Sequence, residues 1–590
     1  MCGIVGFIGN RTDVGNLLLD GLKKLEYRGY DSCGIATLSN GEIFIKKDVG
    51  RIDQVNEKLD FTTLKGNIGI AHTRWATHGG VTKENAHPHL SNNKKIAVVH
   101  NGIIENYQEL RNFLKENGFI FYSSTDTEII PNLVELEMRG EKKFEEATIN
   151  VLRKLEGSYA ILVLNADEKI LIAARKGAPL VLGVADEGHF VASDIPSFLE
   201  YTKDVTYLHD NDVVILGNSL RIFNLLENRE VIRPVDTVDW NIEQATKGNF
   251  DHFMLKEISE QVETIQRAVE QDKSIIFEIV KQIKEAKGIF FVAGGTSYHA
   301  CLTASYLFSK IAKMHVNVVV ASEFPSYEHF LTDKTLVIAV SQSGETADVL
   351  EAVKTAKNKN SKIISLVNVM GSSLHRYSDQ SLMMHAGPEI CVVATKSYTS
   401  QLAILTLLIY ALVGKYEEGK KELKYLWNLI YNLTSANTRE RIKQLSERLK
   451  DSNHIFLIGR GLQYPTALEA ALKIKEVSYI HAEGFSGGEL KHGTIALIEQ
   501  GTPCIVFVSE ENEKEIISNA IEIKSRGGYI IGVAPKNNEV FDFFIKVPEV
   551  GSTNPIAQII PIQILGYQLA LLRGHNPDMP RNLAKSVTVK

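Results

Sequence analysis

Short apolar runs separated by turn residues dominate the chain up to Asn224. Several of these runs are joined by hairpin-like turns, such as Ser39-Asn40-Gly41. The apolar period of an amphipathic helix appears between them, at 13–26, 104–117, 127–139 and 144–155. Hairpin strands with a few amphipathic helices indicate antiparallel sheets that are covered by helices.

The pattern changes after Asn224. A polar, weakly periodic stretch follows, and the sequence becomes helical from His252. Strand-then-helix units then alternate, which is typical of a parallel sheet with crossover helices. Two such segments repeat after about 165 residues, a period too long for a solenoid. The paired segments begin at Gly288 and His454, and at Thr335 and Pro503. We therefore predict a duplicated α/β domain whose sites lie at the carboxyl ends of strands.

Length and composition are those of a multidomain globular protein. The chain has 590 residues, of which 44% are apolar and 23% are charged. We predict an N-terminal domain over 2–224, a linker with a leading helix over 225–275, a first α/β domain over 276–430, and a second over 431–590 that includes the C-terminal tail.

Charge and cysteine content exclude several functional classes. The net charge of −6 provides no basic excess for binding a nucleic acid or an anionic membrane. The longest apolar stretch, which begins at Leu402, is too short to cross a bilayer, and the N-terminus lacks the basic region of a signal peptide. Five cysteines are scattered without a CxxC pair, which favours reduced thiols and a cytoplasmic location.

Cys2 would combine a nucleophile with its own base if Met1 were removed. A free α-amino group has an unperturbed pKa of about 7.7–8.0, so it could accept the proton of the adjacent thiol near neutral pH. From its position alone, a buried cysteine at the start of a strand is the alternative interpretation.

Six motifs follow one another over residues 1–128, namely MCGIVG, YRGYDS, HTRWATHG, NAHPH, HNGIIEN and TDTE. Together they resemble the glutamine-hydrolysing domain of the class II N-terminal-nucleophile amidotransferases, which implies a four-layer αββα fold with antiparallel sheets. The resemblance implies that Cys2 attacks the glutamine amide, forms a thioester and releases ammonia. Arg74 would then bind the glutamine α-carboxylate and Asp126 the α-ammonium group. The other residues that the resemblance places at this site are Asn101 and Gly102 in the oxyanion hole, Thr77 and His78 in the pocket, and Trp75 at the ammonia path.

The histidines of this region suggest zinc as an alternative. His72, His78, His87 and His89 lie close in sequence, but Pro88 separates the last two. No Cys, Asp or Glu lies at the spacing of a zinc ligand set. We therefore expect histidines with structural hydrogen bonds, and no metal.

The segment SQSGET, at 341–346, follows an apolar strand and precedes a helix that starts at Ala347. Hydroxyl and N–H groups at a helix N-terminus suit a phosphate, although an ordinary capped helix start has the same pattern. No GxxxxGK[ST] motif is present, so the loop is not that of a P-loop nucleotide site. The matching turn of the second copy, SEEN at 509–512, is acidic. We therefore expect the phosphate in the first copy.

Three further signals lie in the last quarter of the chain. The helix predicted over 467–483 carries Glu469, Lys473 and Glu476 on one face, a pattern that a solvated salt-bridge ladder would also produce. His492 lies in a glycine-flanked polar loop, and Lys585 is the lysine of an apolar tail.

With SQSGETAD, ALKIKEVSYIHAE, GELKHG and PRNLAKSVTV, the whole chain resembles the isomerizing glutamine–fructose-6-phosphate aminotransferases. The resemblance implies two tandem doubly wound parallel-sheet α/β sugar isomerase domains, the substrates glutamine and fructose 6-phosphate, no cofactor, and a homodimer. Lys585 would form a Schiff base at C2, Glu476 would move the proton between C2 and C1, and His492 would open the sugar ring. Lys473 would stabilise the developing charge. The residues implied to hold the sugar phosphate are Thr296, Ser297, Ser341, Gln342, Ser343 and Thr346.

One position departs from the family pattern, and three alternative functions have sequence requirements of their own. Gly294 stands where the family often has a cysteine, so no role of a thiol there can be carried over. Phosphoribosyl-diphosphate amidotransferases would have an Asp-Asp pair, and asparagine synthetases an SGGxDS loop; this sequence has neither. A non-catalytic sugar-phosphate sensor fused to a glutaminase would not require Lys585, His492 or Glu476.

Overall fold

A computed structural model of the chain describes residues 2–76, 78–238, 240 and 242–588. The chain divides into two compact units. The first comprises Met1–Ala245 together with Ala584–Lys590, and the second comprises Thr246–Leu583. The end of the tail, including Lys585, is therefore grouped with the first unit.

Two antiparallel sheets with flanking helices form the first unit. Its strands are β1 (Gly3–Gly9), β2 (Ser32–Ser39), β3 (Glu42–Val49), β4 (Ile68–Arg74), β5 (His89–Leu90), β6 (Ile96–Ile104), β7 (Gly157–Asn165), β8 (Ile170–Lys176), β9 (Val181–Ala185), β10 (Gly188–Ala192), β11 (Asp204–Tyr207), β12 (Asp212–Leu216), β13 (Leu220–Asn224), β14 (Arg229–Glu230) and β15 (Asp236–Thr237). Its α-helices are α1 (Val14–Lys23), α2 (Ile52–Leu59), α3 (Tyr107–Glu116), α4 (Ile129–Met138) and α5 (Phe144–Lys154).

The layers of this unit follow the order helix, sheet, sheet, helix. The eight-stranded sheet has the order β15-β11-β9-β10-β1-β4-β2-β3, and the seven-stranded sheet has the order β14-β13-β12-β8-β7-β6-β5. Apolar side chains of both sheets, such as Ile70 and Leu162, meet in one core. Helices α4 and α5 cover the other face of the seven-stranded sheet, and α1 packs against β1 and β4. The predicted αββα architecture is confirmed.

The predicted helices of this unit correspond to α1, α3, α4 and α5. Helix α2 has no predicted counterpart, because this helix has eight residues and buries only Ile52 and Val55. So few apolar positions produce no detectable helical period.

The second unit alternates helices with short parallel strands. Its helices are α6 (Phe253–Ser259), α7 (Gln261–Val269), α8 (Lys273–Glu285), α9 (Gly295–Leu307), α10 (Ala347–Asn358), α11 (Ser373–Tyr377), α12 (Lys396–Leu412), α13 (Tyr416–Ile430), α14 (Ala436–Leu449), α15 (Gln463–Ser478), α16 (Glu513–Lys524) and α17 (Asn554–Leu572). Its strands are β16 (Gly288–Ala293), β17 (Asn317–Val320), β18 (Thr335–Ser341), β19 (Lys362–Val367), β20 (Gln380–Met383), β21 (His454–Gly459), β22 (His481–Ser486), β23 (Pro503–Phe507), β24 (Tyr529–Ala534) and β25 (Phe543–Lys546).

The two sheets of this unit have the same topology, which confirms the predicted pair of doubly wound domains. Their orders are β17-β16-β18-β19-β20 and β22-β21-β23-β24-β25, and all neighbours are parallel. In each sheet the first strand along the chain lies between the second and the third. The order of strands therefore reverses at β16 and at β21. Such a reversal opens a crevice at the carboxyl ends of the neighbouring strands.

The most apolar helices lie inside this unit. Helix α12, which contains the apolar stretch that begins at Leu402, is buried over almost its whole length. Within the described residues, one helical segment, Gly551–Leu572, is long and apolar enough to cross a membrane, but 83% of its most apolar window is buried in the structure. This burial makes it a core helix of the second unit.

Candidate functional site

The thiol of Cys2 lies directly before β1, next to the end of β4. The main-chain N–H of Trp75 donates a hydrogen bond of 3.2 Å to its Sγ, which lies 3.4 Å from the main-chain oxygen of the same residue. Pairing of Gly3 with Thr73 brings the two segments together. Burial raises the pKa of the Cys2 thiol, whereas the Trp75 N–H and the Arg74 guanidinium act in the opposite direction. These two groups offset part of the effect of burial, and the pKa of the thiol stays above its usual value.

Asn101 reaches Cys2 from β6 of the other sheet. Its Nδ2 donates to the main-chain oxygen of Cys2 at 2.9 Å, and its Oδ1 lies 3.1 Å from Nε2 of His72. The same Nε2 lies 3.0 Å from the main-chain oxygen of His100, which can only accept a hydrogen bond. Nε2 of His72 therefore carries the proton, and this orients Asn101 with its amide donors towards Cys2.

Gly102 follows in a conformation that requires glycine. Its φ is +118°, and a Cβ atom there would lie 2.0 Å from the main-chain oxygen of Ser158 on β7. No side chain fits at this distance. The backbone of β6 is thereby fixed immediately after Asn101.

Arg74 ends β4 with a buried guanidinium group. It is 3% exposed, and its Nη1 and Nη2 each donate a hydrogen bond of 3.1 Å, to the main-chain oxygens of Gly80 and Gly79 respectively. Nη2 also donates to the main-chain oxygen of His78. The His78 ring packs edge-on against Tyr107, with 4.6 Å between ring centroids. Thr77, which we predict at the same pocket, lies outside the described residues.

Asp126 lies between α3 and α4 and contacts the end of β6. Its Oδ2 accepts a hydrogen bond of 2.8 Å from the main-chain N–H of Ile104, and the residue is 4% exposed. Nδ1 of His100 is 4.0 Å from the same oxygen and 2.9 Å from Oγ1 of Thr127. The structure thus links Cys2 to Trp75, the neighbour of Arg74, and to Asn101, and it ties Asp126 to the end of β6 in the same unit.

Four histidines of this region pack into the protein interior. The ring centroids of His72 and His87 are 4.2 Å apart, and those of His87 and His89 are 4.8 Å apart. Burial lowers the pKa of all three and of His100, that of His72 to about 3. Neutral rings at pH 7 fit the predicted structural role. Among the described residues, no group of three or more His, Cys, Asp or Glu side chains is arranged to hold a metal ion.

The SQSGET loop connects β18 to α10 in the second unit. Oγ of Ser341 accepts a hydrogen bond of 3.1 Å from the N–H of Gly344 and lies 3.0 Å from Oγ1 of Thr346. Gly344 has a φ of +65°, and a Cβ atom there would lie 2.1 Å from Oγ of Ser372. The 12-residue helix α10 starts directly after Thr346. The loop also carries Gln342 and Ser343, both half-buried. Its hydroxyls therefore lie beside the N-terminus of a helix, where an anion is favoured.

The three charged residues of α15 form a buried ion-pair cluster and not a solvated ladder. Nζ of Lys473 is 2.7 Å from Oε2 of Glu476 and 3.3 Å from Oε1 of Glu469. Glu469 and Lys473 are 0% exposed, and the Glu476 side chain is 20% exposed. Burial alone would lower the pKa of Lys473, but the two carboxylates raise it above its usual value. The lysine is therefore a fixed cation beside two carboxylates.

Helix α9 of the first copy contacts this cluster. Oγ1 of Thr296 donates to Glu469 at 3.1 Å and accepts a hydrogen bond of 3.0 Å from Nζ of Lys473. Ser297 lies on the same turn and accepts a hydrogen bond of 3.1 Å from Gln401 on α12. Because β16 and β18 are neighbours, the start of α9, with Thr296, and the loop after Ser341 lie at adjacent carboxyl ends of the sheet.

Two further contacts to the cluster escaped the sequence analysis. Nδ1 of His299, one turn after Thr296, lies 2.7 Å from Oε2 of Glu469, and the main-chain oxygen of Ala394 accepts a hydrogen bond of 3.2 Å from Lys473. Thr296 and His299 are three residues apart on a helix, and this spacing alone predicts that they lie on the same face. A main-chain oxygen leaves no sequence signal.

His492 and Lys585 lie outside α15, the helix that carries the cluster. His492 ends a short 3-10 turn at Gly487–His492 and is exposed. In the part of the chain that the structure describes, no hydrogen bond or ion pair joins its side chain to Glu469, Lys473 or Glu476. Lys585 is half-buried in the tail segment that belongs to the first unit.

The corresponding loop of the second copy is closed by its own side chain. Asn512, 6% exposed, accepts the N–H of Ser509 at 2.8 Å and donates to the main-chain oxygens of Arg460 and Phe507 at 3.3 and 3.2 Å. The space that hydroxyl groups line in the first copy is filled here by an amide.

Comparisons with known proteins match both units. The family profile of the glutamine amidotransferase domain matches residues 72–200, and that of the SIS domain matches 282–411 and 448–542. The C-terminal domain of glucosamine-fructose-6-phosphate aminotransferase from Francisella tularensis covers 56% of this chain and 99% of its own, with 35% identity and a TM-score of 0.53.

Two curated relatives match from end to end. Glutamine–fructose-6-phosphate aminotransferases (isomerizing) of Thermococcus kodakarensis and Pyrococcus horikoshii are each 46% identical to this chain, over 605 and 601 aligned residues, with 100% of both chains covered in each case. With the amidotransferase and SIS matches in the predicted order, this similarity shows that the chain belongs to the family of isomerizing glutamine–fructose-6-phosphate aminotransferases.

Proposed function

We propose that this chain converts fructose 6-phosphate and glutamine into glucosamine 6-phosphate and glutamate, the first committed step of amino-sugar biosynthesis. The observation that carries the proposal is the buried Glu469–Lys473–Glu476 cluster, which Thr296 of α9 contacts, in a chain that also carries the SQSGET loop and the Cys2 site. A carboxylate paired with a fixed cation is suited to moving a proton between two carbons. The reaction requires no metal or organic cofactor.

Cys2 is proposed to attack the glutamine amide after Met1 has been removed. The free α-amino group takes the thiol proton, and the Trp75 N–H at 3.2 Å stabilises the thiolate. Nδ2 of Asn101 and the N–H of Gly102 would stabilise the oxyanion of the tetrahedral intermediate, which collapses to a thioester and ammonia. Water then releases glutamate from Cys2.

The remaining residues of this unit are proposed to bind the glutamine. The planar guanidinium of Arg74 suits the α-carboxylate, and the Asp126 carboxylate suits the α-ammonium group. Thr77 and His78 would complete the pocket. Trp75, directly after Arg74, would control where the released ammonia goes.

The sugar phosphate is proposed to bind at the crevice between β16 and β18. Ser341, Ser343 and Thr346 offer hydroxyls, and the N-terminus of α10 offers N–H groups, so the charge would be held by neutral donors. The other residues proposed to contact the phosphate or the sugar are Gln342, Thr296 and Ser297. Phosphate binding supplies interaction energy away from the reacting carbons.

The chemistry at the sugar is proposed to proceed in three steps. His492 assists opening of the sugar ring by acid–base catalysis. Lys585 condenses with the C2 carbonyl with loss of water, and ammonia then displaces it to give the ketose imine. Glu476 removes a proton from C1 and returns one to C2, which leaves an amine at C2 and an aldehyde at C1. Lys473, 2.7 Å from Glu476, stabilises the charge that develops.

A cytoplasmic homodimer is part of the same proposal. The exposed position of His492 supports it, because a residue so placed can serve a neighbouring subunit.

The decisive experiment quantifies glutamate and glucosamine 6-phosphate together after purified protein has been mixed with glutamine and fructose 6-phosphate. We expect the two products in equal amounts. The Cys2→Ala variant should release no glutamate and form no amino sugar, yet bind fructose 6-phosphate with a Kd within about twofold of wild type. Glutamate without amino sugar, or loss of sugar binding in Cys2→Ala, would contradict the proposal.

The Schiff base is tested by reduction with borohydride in the presence of fructose 6-phosphate. Wild-type protein should gain the mass of one reduced sugar phosphate, and Lys585→Ala should gain none. Lys475→Ala, which removes an exposed lysine of α15, is the matched control and should be labelled like wild type. A labelled Lys585→Ala variant would place the Schiff base on another lysine.

A further inference from the structure

His299 contacts Glu469 of the buried Glu469–Lys473–Glu476 cluster. Among the described residues, it has no hydrogen bond or ion pair with Glu476. Its Nδ1 lies 2.7 Å from Oε2 of Glu469, and Glu469 is fully buried. The two residues come from different copies of the duplicated domain, His299 from α9 and Glu469 from α15. A buried carboxylate requires hydrogen-bond donors on both of its oxygens. His299 serves Oε2, whereas Thr296 and Lys473 serve Oε1.

Two carboxylates compete for a single ammonium group in this cluster. Lys473 is 2.7 Å from Glu476 and 3.3 Å from Glu469, so the shorter pair involves the proposed proton carrier. Helix α17, which packs closely on α15, carries no charged residue that could add a second cation. Without the donor on Oε2, Glu469 would be under-satisfied, and Lys473 would be the charged partner towards which it could move, since Thr296 already donates to Oε1.

We propose that His299 is a positioning residue for the sugar reaction. It holds Glu469 by Nδ1–H, and this keeps Lys473 close to Glu476 in the arrangement that proton transfer between C1 and C2 requires. The inference rests on the proposed function of the cluster. Since an ionised carboxylate only accepts hydrogen bonds, the proton of the His299 contact lies on Nδ1.

The geometry distinguishes two conservative replacements. The amide nitrogen of asparagine takes about the place of histidine Nδ1, whereas that of glutamine takes about the place of Nε2. His299→Asn can therefore donate to Glu469, and His299→Gln cannot donate from the same place. His299→Ala removes the donor altogether. The glutamine variant is thus a matched control that is polar and of similar size.

The test measures amino-sugar formation by the full-length protein, with its hydrolysis of glutamine as an internal control for folding. We expect His299→Ala to lower kcat by about 10- to 100-fold, with the KM for fructose 6-phosphate within about threefold of wild type, because proton transfer is misaligned while phosphate binding is retained. His299→Asn should recover most of kcat, and His299→Gln should not. Fructose 6-phosphate deuterated at C1 should give a larger isotope effect on kcat in the alanine variant.

A second comparison asks whether His299 acts through Glu469. In a Glu469→Gln background, His299→Ala should change kcat by less than about twofold, since coupled residues are not additive. Additive losses, equal recovery by asparagine and glutamine, or a raised KM with unchanged kcat would each overturn the inference. If His299→Ala fails to fold, the test is the difference in kcat between His299→Asn and His299→Gln. Failure of the wild type to make glucosamine 6-phosphate would refute the proposed function itself.

Discussion

Gly344 and Glu469 are two single residues that fix local geometry in the second unit, Gly344 in the SQSGET loop and Glu469 in the buried ion-pair cluster. Gly344 adopts a positive φ in the SQSGET loop and contacts Ser372 so closely that a Cβ atom would not fit. Glu469 is a fully buried carboxylate whose partners come from two helices. In both cases the residue type is dictated by a neighbour that is distant in sequence.

We expect Gly344→Ala to impair both stability and phosphate binding. The left-handed backbone costs a non-glycine residue about 1–2 kcal/mol, and the 2.1 Å approach to Ser372 adds a steric cost of similar size. The free energy of unfolding should fall by about 2–4 kcal/mol, and the KM for fructose 6-phosphate should rise by at least about tenfold. Both are measurable by urea denaturation and steady-state kinetics.

Gly461→Ala is the matched control for this change. Gly461, in the second copy, has a φ of +56° and open space around the Cβ position. It should lose only the backbone contribution, about 1–2 kcal/mol, and leave the KM unchanged. Equal effects of the two substitutions would show that the contact with Ser372 is unimportant.

Strands β4 and β6 place buried histidines in the core of the first unit. His72 and His100 lie on these strands, and His87 and His89 pack on the ring of His72 directly or through one another. Burial holds the pKa of each below the value of the unfolded chain, near 6.5. The unfolded state therefore binds more protons than the folded state as the pH falls below about 6.5.

We expect the first unit to lose stability between about pH 6.5 and pH 3. Each histidine contributes up to about 1.4 kcal/mol per pH unit, with stability present above the unfolded pKa and lost below it. Hydrogen exchange followed by mass spectrometry should show a lower opening free energy for peptides of β4 and β6 at pH 5 than at pH 7, after correction for intrinsic exchange rates.

Strands β16 and β18 are the internal control for this measurement, because neither contains a titratable histidine, aspartate, glutamate or lysine. Their opening free energy should change less over the same range. A His87→Gln variant should reduce the pH dependence of β4 by about one proton. If the opening free energy changed equally with pH in the two pairs of strands, the loss of stability could not be attributed to the buried histidines.

The whole molecule combines an antiparallel unit with a duplicated parallel one. Duplication has produced two sheets of equal topology and two different loops, since hydroxyls line one and the Asn512 amide closes the other. At the buried ion-pair cluster, Lys473 of the second copy donates a hydrogen bond to Thr296 of the first copy. The first copy therefore contributes hydroxyl groups, and the second copy contributes the charged residues of the cluster.

The proposed dimer makes a prediction at the same scale. If His492 serves the neighbouring subunit, co-expression of inactive His492→Ala with inactive Glu476→Gln should restore about a quarter of wild-type activity. Random pairing gives half mixed dimers, each with one intact site. Co-expression of Glu476→Gln with Lys473→Met is the control and should restore nothing, because both residues come from one subunit. Failure of the first pair to recover activity would mean that His492 acts within its own chain.

The sequence alone determined the architecture, because both fold classes depend on local periodicity and on the order of elements. Hairpin runs up to Asn224 and strand–helix units after His252 predicted the two kinds of sheet, and the match between the segments at Gly288 and His454 predicted their repetition. The grouping of Cys2, Arg74, Asn101 and Asp126 came from motif resemblance, and the structure places these residues in or next to β1, β4 and β6 of one unit. Such motifs are informative because their chemistry restricts the residue types.

Only the tertiary structure decided which charges are buried and what they contact. The spacing of Glu469, Lys473 and Glu476 is the same for a solvated ladder and for a buried cluster, and packing of α9 and α17 on α15 selects the second. His299 and the main-chain oxygen of Ala394 reach the cluster from 170 and 79 residues away in sequence. Periodicity records which face of a helix is apolar, whereas the partner of a polar atom on that face is set by contacts between distant segments.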